Sequence, residues 1–488
     1  MPSAVLSTPP RSGITRLTNC RLLRGDALVS DDIWLNSATG KIISSQEAFY
    51  DEHAFPDESI DLGGRIVSPG FIDCQLNGAF GFNFSTATDD MEQYNKQVRR
   101  LNKQLAQTGV TSYIPTVTSQ TSELYQKVLP YLGPSGSARF ASDGAESLGA
   151  HVEGPFLNPN KNGVHNPAVL RTASDFSDLE DMYGASNLTP SSSPSSAPGS
   201  GDTTTPPIPI KMITAAPEMG NMTALIPALT ARDIIVSIGH SDASYEEASA
   251  AVAAGATMIT HLFNAMRPSH HRDPGIFGVL GVAPASAAAA ATDNDYTDDV
   301  DDNVHEDRGS SSSSKRRGKL GRPYFGIIAD GIHLHPATIN IAWNAHPDGF
   351  ILVTDSMHMV GLPDGRYEWT NGEGEHFIVK KGHVLLLEGT GTIAGSADPS
   401  LRNISSITLI ECVNNFLNWS GVTIPQALKA VTATPAAMLG VEGVKGCLEP
   451  GADADLVILS EEACRGRRSL VVDEVWKFGT RIYEKGNA

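Results

Sequence analysis

The chain has 488 residues, 40% of them hydrophobic, and a formal net charge of −19. Such a chain can bury a large core, and its acidic balance argues against nucleic acid or an anionic membrane surface as the main partner. Five cysteines without close CxxC spacing, no secretory signal and no apolar run of membrane-spanning length favour a cytoplasmic protein.

The two ends of the chain share one pattern. Residues 14–23, 27–35 and 41–45 alternate apolar and polar side chains between turn residues, and residues 455–459 and 470–476 do the same near the other end. This period of two is typical of antiparallel strands. We therefore predict a small β-sandwich formed by both termini, with its N-terminal part at 1–67 and its C-terminal part at 444–488.

The middle of the chain, residues 68–443, alternates short apolar runs with helical patterns. Eight such runs favour a closed (β/α)8 barrel, a TIM-like α/β fold, over an open sheet. The first run starts close to the boundary of the N-terminal part. The runs lie near Ile66, Val110, Leu148, Lys211, Ile234, Thr257, Tyr324 and Phe350.

Two segments interrupt this alternation. Residues 185–207 are almost entirely Ser, Pro, Thr, Gly and Ala, and residues 283–321 pass from an alanine run through an acidic run to a serine run. Neither composition can bury enough apolar surface to offset the entropy lost on ordering the chain. We predict that both are disordered insertions in the barrel domain.

Two histidines follow neighbouring strands of the predicted barrel. An apolar strand at 233–239 leads to His240, a helix over about 245–254 follows, and a strand at 256–260 leads to His261. Ser244 and Glu247 have the spacing of a capping box at the helix start. Because a βαβ unit lays its strands parallel, the two imidazoles lie at one sheet edge, which favours metal ligation over two buried histidines.

Polar residues also follow other barrel strands. Glu153 ends the third strand and Asp355 follows the eighth, at the edge where barrel enzymes carry catalytic groups. Glu153, His240 and His261 form a set that would hold a Zn²⁺-like ion and leave one position open for water. Either carboxylate alone could cap a loop or a helix, but four such groups on four strands of one barrel favour a metal site.

Seven motifs lie along the chain: SPGFID at 68–73, HVEGPFLN at 151–158, GVHNP at 163–167, GHS at 239–241, THLFNAM at 260–266, ADGIH at 329–333 and VTD at 353–355. In this order they resemble the N-acetylglucosamine-6-phosphate deacetylases of the amidohydrolase superfamily, over about residues 14–485 apart from the two insertions. The resemblance implies metal-dependent hydrolysis of N-acetyl-D-glucosamine 6-phosphate to D-glucosamine 6-phosphate and acetate, in amino-sugar catabolism.

Gln75 and Asn77 stand where many amidohydrolases carry a His-x-His pair for a second metal. Amides are poor replacements for imidazole on a transition metal. We therefore expect one divalent ion per subunit, with Zn²⁺ favoured over Fe²⁺, Co²⁺ or Mn²⁺. The two amides would line the site or contact water on the metal.

The chemistry of amide cleavage gives Asp355 a role, because the water must lose a proton and the departing amine must gain one. Asp355 would act as general base toward water and then as general acid toward the amine. The resemblance implies that His165 and His333 hold sugar hydroxyls or the carbonyl, with ordinary loop histidines as the alternative.

A phosphate site is expected after His261. Backbone N–H groups at the turn of Asn264 and Ala265, and the basic residues that follow, supply hydrogen-bond donors for a phosphate. The resemblance implies a homodimer in which Arg272 reaches the phosphate bound to the neighbouring subunit.

Three other interpretations remain open. Another amidohydrolase, acting on a cyclic amide or an N-acyl amino acid, would keep the barrel but would require ligands for a second metal. A deacetylase for the galactosamine isomer would use the same residues. A scaffold protein on an inactive barrel would not need intact Glu153, His240, His261 and Asp355.

Overall fold

The structure is a computed structural model that describes residues 12–86, 88–136, 139–189, 207–281, 321–369, 376–388, 406–464 and 466–486. Most of both predicted insertions, residues 190–206 and 282–320, lies outside these ranges. The start of the first predicted insertion is described, and it forms the short helix Ala185–Leu188, in which Leu188 is buried.

The described chain consists of strands and helices in the following order. Its strands are β1 (Ile14–Arg24), β2 (Ala27–Asn36), β3 (Lys41–Ile43), β4 (Glu58–Asp61), β5 (Ile66–Pro69), β6 (Phe71–Leu76), β7 (Gly78–Ala79), β8 (Phe82–Asn83), β9 (Val110–Val117), β10 (Glu146–Ser147), β11 (Ala150–Glu153), β12 (Ile210–Ala215), β13 (Ile235–Ile238), β14 (Met258–Ile259), β15 (Tyr324–Ile328), β16 (Phe350–Val353), β17 (Gly365–Trp369), β18 (His376–Lys381), β19 (Val384–Leu387), β20 (Leu456–Cys464), β21 (Arg467–Lys477) and β22 (Thr480–Glu484). Its α-helices are α1 (Met91–Leu105), α2 (Ser122–Leu132), α3 (Phe176–Tyr183), α4 (Ala185–Leu188), α5 (Met222–Thr230), α6 (Tyr245–Ala254), α7 (Pro336–Ala345), α8 (Leu409–Ser420), α9 (Ile424–Lys429) and α10 (Ala433–Leu439). No helix in this part of the chain is long and apolar enough to cross a membrane.

Eight parallel strands form a barrel. The pairing runs from β6 through β9 and β11 to β16, and the short β10 adds to β9. The barrel closes between β16 and β6, where Leu76 bridges Ser356 and the Asp355 N–H donates to the Gln75 carbonyl at 2.9 Å. The predicted (β/α)8 barrel is confirmed, as is the helix between His240 and His261, which is α6 with its Ser244 capping box.

The apolar run near Ile66 supplies two strands rather than one. β5 pairs with β1 and with β20 in a sheet outside the barrel, whereas β6 is the first barrel strand. Gly70 separates them, and a Cβ atom there would overlap the side chain of Thr111. The barrel therefore begins at Phe71, a few residues later than predicted, because the chain changes layers at this glycine.

Both termini contribute to one flanking sheet, as predicted. Its strand order is β22-β21-β20-β5-β1-β2-β3, with β4 beside β1. The C-terminal β20 pairs antiparallel with the N-terminal β5, which places Leu456 opposite Pro69. This layer has an apolar core of its own, which includes Leu17, Leu35 and Ile458.

A three-stranded antiparallel sheet, β17 to β19, was not predicted. Ile378 and Leu385 of this sheet pack against Met357 and Met359 in the loop after β16. Val164, the neighbour of His165, packs against the same cluster. The sheet therefore covers one side of the loops at the carboxyl edge of the barrel.

A buried cluster of charges joins the flanking sheet to the barrel. Lys477 of β21 is fully buried. Its Nζ donates to Glu146 Oε1 at 2.6 Å, to Asp455 Oδ2 at 2.7 Å and to the Thr111 carbonyl at 3.0 Å. Lys445 pairs with the same two carboxylates. Glu146 lies on β10 beside the barrel, so these ion pairs connect the two layers.

Lys477→Met should lower the free energy of unfolding by about 3 kcal/mol, because it leaves buried carboxylates without one of their cations. Urea unfolding followed by circular dichroism measures the change. Lys485→Met is the control, since Lys485 is 54% exposed and lies 4.0 Å from Glu462. Equal unfolding midpoints for the two variants would show that the cluster adds no stability.

Candidate metal centre

The four predicted site residues lie at the carboxyl ends of four barrel strands. Glu153 is the last residue of β11, and His240, His261 and Asp355 each lie two residues beyond β13, β14 and β16. The glutamate and both histidines are buried, and Asp355 is partly buried. The barrel thus brings together residues that are separated by more than two hundred positions in sequence.

Three of these side chains converge on one point. Glu153 Oε1 lies 3.0 Å from His261 Nε2 and 3.2 Å from His240 Nε2, and the two Nε2 atoms are 3.0 Å apart. Tetrahedral zinc with ordinary bond lengths places neighbouring ligand atoms about 3.3 Å apart. Burial opposes ionisation of Glu153, but its contacts with the two histidines hold its pKa well below the usual range. The three atoms therefore have the spacing and the charge to bind one divalent cation.

Backbone contacts orient the side chains that converge here. The Nδ1–H of His240 donates to the Lys161 carbonyl at 2.7 Å, which leaves the Nε2 lone pair directed at the convergence point. His240, His261 and Asp355 have φ angles of 49°, 25° and 46°. Non-glycine residues adopt this left-handed region rarely, and such residues concentrate at functional sites.

His165 lies close enough to Glu153 and His240 to complete a metal site with them, but its tautomer argues against ligation. Its Nε2 lies 3.8 Å from Glu153 Oε2, and its ring centre lies 4.4 Å from that of His240. However, His165 Nδ1 accepts the Ser119 N–H at 3.0 Å, so in the neutral ring the proton is on Nε2, which can donate but not ligate. Burial and the charge of His240 favour this neutral form, because they lower the pKa of His165 to about 3.

Gln75 and Asn77 contact the carboxylates of the site. Gln75 Nε2 donates to Glu153 Oε1 at 3.1 Å, and Asn77 Nδ2 donates to Asp355 Oδ1 at 2.7 Å. Burial and the charge of Glu153 raise the pKa of Asp355 to about 6. The two amides therefore line the site by holding one carboxylate each.

His333 is held by a residue that sequence reasoning missed. Asp330 Oδ2 accepts from His333 Nδ1 at 2.7 Å, and Asp330 Oδ1 accepts the backbone N–H groups of Ile332 and His333. This arrangement fixes the ring with its Nε2 as the remaining polar atom. The signal was available in the motif ADGIH, because an aspartate that precedes a histidine by three residues can accept from its backbone.

Asn264 and Ala265 form a turn directly after His261. The Asn264 N–H and its side-chain amide both donate to the His261 carbonyl, at 3.0 and 3.2 Å. Ala265 has a φ of 50°, and its carbonyl accepts the Ser241 N–H at 3.2 Å. The turn therefore connects the loops that carry His240 and His261.

The two arginines after this turn have different surroundings. Arg267 pairs with Asp273 at 2.7 Å and with Asp242 at 3.5 Å. Arg272 is exposed, and within the described residues its guanidinium contacts His271 at 3.1 Å but no carboxylate. Arg272 therefore keeps its charge available for another molecule, whereas Arg267 is neutralised within the chain.

Comparison with known proteins shows the family of the chain. The chain matches the amidohydrolase family over residues 66–482. It is 38% identical to the N-acetylglucosamine-6-phosphate deacetylase of Homo sapiens over 451 residues, which cover 92% of each chain. The chain belongs to the amidohydrolase family. The relative from Danio rerio carries the same name and is 36% identical over 466 residues, covering 95% of this chain and 97% of the relative.

A solved structure shows the fold of this amidohydrolase independently. The crystal structure of N-acetylglucosamine-6-phosphate deacetylase from Pasteurella multocida superposes with a TM-score of 0.68 at 23% identity, covering 96% of this chain and 99% of the other. Metal dependence is a property of the superfamily, and the convergence of Glu153, His240 and His261 fits it. The resemblance predicted from the seven motifs is confirmed.

His261→Gln should weaken Zn²⁺ binding by at least about a hundredfold, because it removes a ligand, whereas His165→Gln should leave the affinity within a few-fold of the unaltered chain. Competition with a chromophoric chelator measures both constants. Loss of zinc from His165→Gln in a folded protein would place His165 in the ligand set.

Proposed function

We propose that this amidohydrolase cleaves the N-acetyl group of N-acetyl-D-glucosamine 6-phosphate and releases acetate and D-glucosamine 6-phosphate in the cytoplasm. The observation that carries the proposal is the convergence of Glu153, His240 and His261 within 3.2 Å of one another. The activity named for the relatives from Homo sapiens and Danio rerio supports this substrate.

Glu153, His240 and His261 would hold one divalent ion, for which we propose Zn²⁺. Two imidazoles and one carboxylate are donors that zinc accepts readily, and zinc binds such sites more tightly than Mn²⁺, Fe²⁺ or Co²⁺. When bound, the ion would polarise the amide carbonyl and lower the pKa of a water molecule to about 7.

Asp355 is proposed to carry the proton. It would take a proton from the attacking water as the new oxygen–carbon bond forms, and return it to the amide nitrogen as the carbon–nitrogen bond breaks. The hydrogen bond from Asn77 fixes one oxygen of this carboxylate and leaves the other for the proton.

His165 and His333 are proposed to bind the substrate. The Ser119 N–H donates to His165 Nδ1, so His165 presents Nε2–H as a donor for a sugar hydroxyl or the carbonyl oxygen. His333 donates its Nδ1–H to Asp330, so its neutral ring presents Nε2 as an acceptor for a sugar hydroxyl.

We propose that two copies of the chain share each phosphate site. The N–H of Ala265 donates to no acceptor among the described residues, so it can serve a phosphate of its own chain. Arg272 is exposed and unmatched by a carboxylate in the described part of the chain, so it can reach the phosphate of a partner in a homodimer.

Acetate release should be measured from N-acetylglucosamine 6-phosphate, N-acetylgalactosamine 6-phosphate and the two unphosphorylated sugars. The proposal expects the first to have the highest kcat/KM. A higher kcat/KM for the galactosamine isomer would show a different substrate for the same reaction. If zinc-loaded protein released acetate from none of the four sugars, an inactive scaffold would be favoured.

Asp355→Asn should lower kcat by about 10² to 10⁴-fold while zinc stays bound, because Asp355 is assigned to proton transfer and not to ligation. Metal content and kcat are measured on the same preparation. Asp348→Asn, an exposed change on the loop before β16, should keep normal activity. Near-normal turnover in Asp355→Asn would refute the assignment.

Arg272→Ala should lower kcat/KM for the phosphorylated sugar about tenfold to a hundredfold, because a charge-assisted contact is lost, and should barely affect the unphosphorylated sugar. Mixing Arg272→Ala with Asp355→Asn subunits should recover activity, since one site in each mixed dimer has its own Asp355 and the Arg272 of the partner. An inert mixture with demonstrated subunit exchange would mean that the site is not shared.

A further inference from the structure

Glu218 is not a ligand, but it connects loops that carry two of the ligands. It lies on the loop after β12. Its Oε2 accepts from Ser241 Oγ at 2.7 Å, and its Oε1 accepts the Asp242 N–H at 2.7 Å and Asn158 Nδ2 at 3.0 Å. Asn158 follows Glu153 by five residues, and Ser241 follows His240 directly.

Glu218 holds the loop in which the backbone of His240 has a positive φ. The φ of His240 is 49°, which a residue with a Cβ atom adopts only when its surroundings require it. The Asn158 N–H donates to the His240 carbonyl at 2.9 Å, so Asn158 contacts both His240 and Glu218. The Glu218 carboxylate therefore holds Ser241 and Asp242, which follow His240. It also holds Asn158, which donates to the His240 carbonyl.

We propose that Glu218 is a positioning residue that fixes His240 for metal binding. Without its carboxylate, the Asp242 N–H and the Ser241 hydroxyl lose their acceptor, and the loop can relax toward an ordinary negative φ. Such a change would move His240 Nε2 away from the point where it meets Glu153 and His261.

Glu218 acts through hydrogen bonds rather than through an ion pair. Its three donors are a hydroxyl, a backbone N–H and a side-chain amide, and no lysine, arginine or histidine pairs with it within the described ranges. A glutamine has a similar shape and can accept from the N–H while its own amide donates to the hydroxyl. Glutamine should therefore replace Glu218 with little loss.

The inference rests on the metal site of the proposed function, and its test needs no substrate. The Zn²⁺ dissociation constant is measured by competition with a chromophoric chelator for the unaltered full chain, Glu218→Ala, Glu218→Gln and the control Glu246→Ala. Glu246 is exposed on the first turn of α6 and makes no side-chain hydrogen bond among the described residues.

Loss of a group that orients a metal ligand raises the dissociation constant about tenfold to a hundredfold, which is the expectation for Glu218→Ala. Glu218→Gln and Glu246→Ala should stay within about threefold of the unaltered chain.

An unchanged dissociation constant in Glu218→Ala would overturn the proposal. So would a Glu218→Gln variant as weak as Glu218→Ala, because the effect would then depend on charge and not on position. If Glu218→Ala does not fold, Ser241→Ala removes one of the three hydrogen bonds and should give a smaller rise in the same constant, and no rise would refute the inference. Zinc binding by the unaltered chain without acetate release would contradict the proposed function alone.

Discussion

The buried carboxylate of Glu153 between two imidazoles is the interaction on which the rest of the site depends. Placing an ionised carboxylate in a protein interior is unfavourable unless opposite charge or hydrogen bonds compensate it. Gln75 supplies a hydrogen bond, and a divalent cation at the point where Glu153 meets His240 and His261 would supply the charge. The surrounding contacts then have one common effect, which is to keep three ligand atoms close together.

Backbone groups provide much of this restraint. The Lys161 carbonyl fixes the ring of His240, and the Ser119 N–H fixes the ring of His165 with the opposite tautomer. Two adjacent imidazoles thereby become different in kind, one able to ligate a metal and the other able to donate a hydrogen bond. The roles proposed for them, metal binding for His240 and substrate binding for His165, follow from which backbone group each Nδ1 meets.

The sequence predicted the barrel and the placement of its polar residues at strand ends, because Glu153, His240, His261 and Asp355 each follow an apolar run. It could not predict tautomers, since these depend on backbone groups that any residue would supply. It also could not divide the run near Ile66 into two strands in different layers, because the apolar pattern does not distinguish a strand of the flanking sheet from a strand of the barrel. The role inferred for Glu218 depends on contacts among three loops, which no local pattern records.

Anomalous diffraction at the zinc edge, from crystals of the full chain grown with Zn²⁺, tests the central claim most directly. The account predicts one peak per chain, about 2 Å from Glu153 Oε1, His240 Nε2 and His261 Nε2. A second peak of similar height beside Gln75 and Asn77 would contradict a single metal ion. A single peak bonded to His165 in place of His261 would contradict the ligand set.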